Sequence, residues 1–139
     1  MRTLVMMMLL LGCSGLAQAR MAIRPVYKTT ATALARAYHR NEVATQDAVS
    51  GKDVQVTGTV QSINEEFGSV EIDLRTHQFL PAGMMMRAGS KKIAATLSRG
   101  QQVTIRCRHV ERLLGSPAGR QCVFVHPLLT HATHPQHPF

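Results

Sequence analysis

Residues 54–61 alternate between small or apolar side chains and polar ones, and this run constrains the fold more than any other segment. Three valines and Gly58 fall on one face, which predicts a strand with one side buried in a core. A glycine inside a strand is unfavourable unless the strand bends sharply or another backbone approaches it. Ile63 breaks the alternation, which indicates a bulge near Ser62. The pattern therefore predicts a bent strand of the kind that closes a barrel.

Further runs have strand character and supply the partners of this strand. They lie at 70–74, 84–87, 103–110 and 121–125. The run at 70–74 completes an antiparallel hairpin with the bent strand, and the last two runs form a second hairpin around a turn-rich loop at 115–119. The chain is therefore expected to be mainly β, with five strands.

Helical spacing is limited to two segments. Apolar residues recur at helical intervals over 30–40, which predicts an amphipathic helix. Ser90 is placed to cap a short helix that Gly100 ends, because glycine tolerates the left-handed conformation at a helix end. Residues 41–52 show no sustained period and are expected to be a connection.

The two late cysteines are expected to form a disulfide. If Val110 faces Gly119 across the second hairpin, antiparallel counting places Cys107 opposite Cys122, at the short separation that a disulfide requires. Closing a loop of this length contributes about 3 kcal/mol. A metal site is the alternative, but two cysteines without a Cys-x-x-Cys pair are weak support for it.

The N-terminus has the pattern of an export signal. Residues 1–19 combine Arg2, an apolar run and a small-residue segment ending in Ala-Gln-Ala, which predicts a cleaved signal peptide and a periplasmic protein. In the alternative, residues 1–12 are a lipoprotein signal and Cys13 is lipidated, which would give a membrane-anchored lipoprotein. We expect a linker at 20–29, a folded domain at 30–126 and a mobile tail rich in His and Pro at 127–139.

The order of these elements fits a five-stranded Greek-key barrel with an N-terminal helix and a short helix between strands three and four, as in the OB-fold. Three segments, 34–38, 51–60 and 97–105, resemble the tRNA_anti-like OB-fold family, and Cys107 and Cys122 match its late cysteine pair. The resemblance implies an exported bacterial OB-fold protein or lipoprotein. Its motifs are strand and turn motifs, so it implies fold more than function.

The basic charge of the chain is concentrated in its second half. The formal net charge is +8, and residues 75–139 hold nine basic residues and one acidic residue. Four arginines are candidates for a cationic rim around the ligand face of the barrel: Arg75, Arg87, Arg112 and Arg120. Against a nucleic-acid ligand, Glu71 and Asp73 point outward from the second strand, and no aromatic residue is placed to stack a base.

Other chemistry has weaker support in the sequence. Late histidines offer a candidate metal-binding tract, at His126, His131, His134 and His137. No nucleophile–base pair, phosphate loop or metalloprotease motif occurs, so neither catalysis nor a cofactor is expected.

The sequence thus predicts a non-catalytic, exported binding module whose partner is an envelope protein, polymer or small ligand. Nucleic acid is expected to be an unlikely partner, and a membrane is expected as a partner only if Cys13 is lipidated. A nucleic-acid-binding domain and a metal-sequestering protein remain the alternatives.

Overall fold

The computed structural model describes residues 23–125 as six strands and three helices. In chain order these are β1 Val26–Thr30, α1 Ala31–Arg40, α2 Glu42–Val49, β2 Asp53–Glu66, β3 Ser69–Leu74, β4 Ala82–Met86, α3 Lys91–Ala94, β5 Gln102–Leu113 and β6 Ser116–Phe124. The predicted signal peptide, Cys13 and the four late histidines lie outside the described residues.

Strands β2 to β6 form the predicted five-stranded barrel. The strand order is β2-β3-β4-β6-β5, and pairing of β2 with β5 closes it. The first half of β2 pairs with β5 and its second half pairs with β3, with a register shift between Val60 and Ser62 where the bulge was predicted. Gly58 lies in the bent region, where a Cβ would come within 3.0 Å of the Ala31 Cβ. The bend therefore lets α1 begin directly against the barrel wall.

Helix α1 closes one end of the barrel. Thr30 caps it by accepting a hydrogen bond from the Ala33 N–H, and Leu34 and Tyr38 are buried in the core. The Tyr38 hydroxyl donates to Gln46 Oε1 of α2 at 3.0 Å. The two N-terminal helices are therefore held together over the core.

Two segments were wrongly expected to lack regular structure. Residues 42–49 form α2, capped by the Asn41 side chain, and only Thr45 and Val49 are buried, so this helix has almost no apolar period to detect. All of strand β1 except Thr30 falls within the expected linker at 20–29. It pairs in parallel with β2, and Arg24 just before it forms an ion pair with Asp53 at 3.2 Å. A short strand that depends on its neighbour leaves little signal in the sequence.

The second hairpin has the predicted register and a different turn. Cys107 pairs with Cys122 and Val110 with Gly119, and the disulfide is formed as predicted, with a Cα–Cα distance of 4.0 Å. The turn is only Leu114-Gly115, and the residues expected to be a loop already belong to β6. Pro117 is tolerated because it lies near the beginning of the strand.

The other predicted elements are shifted or shortened. The third barrel strand was expected at 84–87 and spans Ala82–Met86. The helix after Ser90 lies between the third and fourth barrel strands as predicted, but it is a single turn, and Ser90 makes no side-chain capping bond.

Candidate functional site

The four candidate arginines do not form one rim. Arg75 follows β3 and Arg87 follows β4, and the antiparallel pairing of these strands puts the two at opposite ends of the pair. Six residues of strand separate them, which corresponds to about 20 Å. Arg112 is paired with Glu42 at 2.8 Å, and Arg120 with Glu111 at 2.6 Å. Half of the predicted cationic rim is therefore neutralised by contacts between elements.

The outer face of β3 and β4 carries carboxylates. Glu71 lies over Gly83, because a Cβ on that glycine would collide with the Glu71 carboxylate. Asp73 Oδ2 accepts hydrogen bonds from Ser62 Oγ at 2.7 Å and Asn64 Nδ2 at 3.0 Å. We call these residues of the β2–β3–β4 surface, Glu71 and Asp73 with Ser62, Asn64 and Gly83, the acidic face.

The two carboxylates on the acidic face influence each other. The pKa of Glu71 is raised above its usual value by partial burial first, and then by the negative charges of Asp73 and Glu66. Asp73 instead has two hydrogen-bond donors beside it. A cationic group placed on this face would relieve the repulsion, whereas a phosphate would add to it.

Two tight turns flank the acidic face. Phe67-Gly68 joins β2 to β3, and Leu114-Gly115 joins β5 to β6. All four residues have positive φ: 50° and 78° in the first turn, 49° and 92° in the second. Such turns favour asparagine or glycine at the first position, because a bulky side chain is strained in the left-handed region. Here that position holds a phenylalanine and a leucine.

The side chains at these two positions are not buried. The Phe67 side chain is fully exposed, and Leu114 is 89% exposed. Neither residue therefore offsets its backbone strain by packing within the described residues. The turns lie at opposite ends of β4. Gly68 directly precedes Ser69, which the register places beside Arg87 at the end of β4. Gly115 directly precedes Ser116, whose hydroxyl donates to the Pro81 carbonyl just before β4 begins.

The β5–β6 turn has apolar neighbours in the β3–β4 loop. Leu113 is half exposed, and Phe79 is almost fully exposed in that loop. A Cβ on Gly115 would lie 3.9 Å from Leu80 Cδ1, so the turn and the loop touch. One end of the acidic face is thus bordered by an apolar group, Phe79, Leu80, Leu113 and Leu114.

Comparison with known proteins identifies the family. A model of the tRNA_anti-like family matches residues 11–123, which is most of the chain. The chain belongs to the tRNA_anti-like family. This confirms the resemblance seen in the sequence, and the barrel described above is its OB-fold.

The fold of this tRNA_anti-like chain is similar to that of a solved bacterial structure. The crystal structure of a "putative nucleic acid-binding lipoprotein" from Klebsiella pneumoniae matches with a TM-score of 0.58 and 16% identity, over 71% of this chain and 92% of that one. The S. pombe Stn1–Ten1 complex matches with a TM-score of 0.41 and 11% identity, over 54% of this chain and 59% of that one. No match was found among curated proteins.

Some of this site was visible in the sequence. Glu71 and Asp73 were recognised as outward-facing, but their contact with Gly83 depends on the pairing of β3 with β4. The sequence pattern placed no aromatic residue at the ligand face, whereas Phe67 lies in a turn beside it. A large apolar residue directly before glycine, in a two-residue link between alternating runs, is the pattern that identifies both turns.

Within residues 23–125, no three His, Cys, Asp or Glu side chains are grouped so as to hold a metal ion. None of the helices in that range is long and apolar enough to span a bilayer.

Proposed function

We propose that this chain is a non-catalytic binding module of the bacterial cell envelope that holds a protein partner across the acidic face, between the Phe67 and Leu114 turns. The observation that carries the proposal is the exposure of two bulky apolar side chains at strained turn positions on either side of that face. Backbone strain that internal packing does not offset is a reason to look for a function.

The chemistry of the face suggests the kind of partner. In the OB-fold, ligands commonly lie on the second and third strands between the loops that flank them, and these correspond here to β3 and β4 with the two turns. Glu71 and Asp73 favour a cation at the centre, and the two turns favour apolar contacts at the ends. An extended polypeptide of about six residues spans the roughly 20 Å between the turns. We therefore propose a segment that is apolar at both ends and basic between them.

The envelope location and the absence of catalysis belong to the same proposal. The predicted signal peptide supports export, and the lipoprotein description of the Klebsiella neighbour is consistent with it. Membership of an OB-fold binding family supports a role without catalysis.

Nucleic acid is the second candidate ligand. The expectation that it is an unlikely partner gains no support from the comparisons, since the Klebsiella protein is described as binding nucleic acid. The observation that favours nucleic acid is local: exposed Phe67 adjoins a small pocket lined by Arg87 and by Lys91, which is itself paired with Glu65 at 2.7 Å. An aromatic side chain beside cations is the arrangement that stacks a base and contacts its phosphate. The carboxylates of the acidic face oppose such a ligand.

A titration of the mature protein separates the two candidates. The probes are a six-residue peptide with leucine at each end and lysine at the two central positions, its glutamate-for-lysine analogue, and a short oligothymidine. Backbone amide shifts should locate the lysine peptide on β3, β4 and both turns, and Glu71→Gln with Asp73→Asn should weaken its binding about tenfold. Tighter binding of oligothymidine, with a steep loss of affinity on adding salt, would favour nucleic acid instead.

A further inference from the structure

A groove separate from the acidic face lies between the start of α1 and the bent part of β2. Its volume is about 410 Å³. It is lined by threonines of the β1–α1 junction and of β2, together with Arg75, His77 and Gln102. None of the lining residues is acidic, and none is a phenylalanine, tyrosine or tryptophan. The groove is therefore polar and positively charged, in contrast to the acidic face.

The groove follows from the bend in β2. Because Gly58 has no side chain, Ala31 packs directly against β2, and this brings Thr30 and Thr32 beside Thr57 and Thr59. The Cβ of a larger residue at position 58 would lie 3.0 Å from the Ala31 Cβ and 3.2 Å from the Leu74 Cβ. Such a residue would therefore push α1 away from β2.

Backbone contacts fix the polar groups on the other side of the groove. The Arg75 N–H donates to the Thr59 carbonyl at 2.8 Å, which holds the arginine next to the β2 hydroxyls. Gln102 pairs with Thr59 across the β2–β5 ladder. Within residues 23–125, the Arg75 side chain forms no ion pair, unlike Arg112 and Arg120. Its guanidinium charge is therefore available to a ligand.

We infer that this groove binds a phosphorylated sugar or polyol. Arg75 supplies charge-assisted hydrogen bonds for a phosphate, since arginine is well suited to two-point contacts with phosphate oxygens, and the His77 ring supplies a further N–H donor. The threonine hydroxyls and the Gln102 amide both donate and accept hydrogen bonds, as the hydroxyls of a sugar or polyol require. No phenylalanine, tyrosine or tryptophan lines the groove, and its two planar groups, Arg75 and His77, are the ones assigned to the phosphate, so the lining offers no further flat surface for a nucleobase.

The groove shares no lining residue with the acidic face, although Arg75 follows Asp73 by two positions in the chain. Arg75 and His77 lie in the segment after β3, and the threonines belong to the β1–α1 junction and to β2. The acidic face uses side chains of β3, with Ser62 and Asn64 from the later part of β2. Substitutions in the groove therefore test it without altering Glu71 or Asp73.

The test is an amide-shift titration of the mature protein with glycerol 3-phosphate, with glycerol and oligothymidine as comparison ligands. We expect saturable shifts confined to the groove with glycerol 3-phosphate and weaker ones with glycerol. Arg75→Gln should weaken binding of glycerol 3-phosphate at least about tenfold, because it removes a charged hydrogen-bond partner. Thr59→Val alone should weaken binding of glycerol 3-phosphate by a smaller factor.

Arg40→Gln is the matched control. It removes the same charge from the far end of α1, about 15 Å along the helix, and should leave the affinity unchanged. Thermal unfolding of each variant checks that the fold is intact. The inference is overturned if the groove shows no shifts, if Arg40→Gln and Arg75→Gln weaken binding equally, or if oligothymidine shifts the groove residues at lower concentration than glycerol 3-phosphate.

Discussion

Replacing Phe67 with asparagine should make the protein more stable while impairing its proposed function. Phe67 has a φ of 50° and is fully exposed, so its side chain adds strain and no packing. Left-handed backbone disfavours an ordinary residue by about 1–2 kcal/mol, and asparagine avoids much of this. We expect Phe67→Asn to raise the free energy of unfolding by about 1 kcal/mol, which corresponds to roughly 4 °C in Tm for a domain of this size. Leu114→Asn should act in the same way.

Thermal and urea unfolding followed by circular dichroism measure this effect. Phe79→Asn is the matched control, because Phe79 is 99% exposed but is not among the residues with positive φ. That substitution should change stability by less than about 0.5 kcal/mol. The two turns are far apart, so the stabilising effects of Phe67→Asn and Leu114→Asn should add. If Phe67→Asn destabilised the protein, the side chain would have to pack in the native state, and the strain argument would be refuted.

Three further predictions concern the acidic face and the disulfide. Glu71→Gln should stabilise the protein at pH 7 by a few tenths of a kcal/mol, because the raised pKa of Glu71 means that folding disfavours its ionised form. The same substitution should have no effect on stability well below pH 4.5, where the carboxyl is protonated in both states. Tm measured against pH checks the sign, and equal gains at both pH values would contradict it. Gly119→Ala should destabilise by about 1–3 kcal/mol, since a Cβ there would lie 2.5 Å from the Cys107 Sγ and 2.7 Å from the Met84 Sδ; an unchanged urea midpoint would show that the core yields. Replacing Cys107 and Cys122 by alanine should lower the free energy of unfolding by about 3 kcal/mol, measured without reductant, and a loss below 1 kcal/mol would refute a stabilising role.

The sequence was most informative where one face of an element is buried. Alternation and the two cysteines predicted the register of the second hairpin, though not its turn, because a shift of one position would turn Cys107 away from Cys122. Helix α2 was missed because only two of its residues are buried, and β1 was missed because a short edge strand depends on its partner.

The candidate site depended on contacts that no single segment contains. Arg112 was assigned to a cationic rim, yet it pairs with Glu42, which is 70 residues away in sequence. The groove with Arg75 arises where Gly58 lets α1 meet β2. Periodicity predicts which residues face the core, whereas ion pairs and grooves depend on which surfaces the fold brings together.

The most direct test of the central claim compares the affinity of the leucine–lysine peptide for the wild-type protein with that for the Phe67→Asn, Leu114→Asn double variant. Burying an exposed phenylalanine or leucine contributes about 1.5–3 kcal/mol, so the account predicts a loss of affinity of at least about tenfold. An Ile23→Asn control, which changes an exposed apolar residue before β1, should bind normally. Unchanged affinity in a stable double variant would contradict the claim that the two turns hold a protein partner.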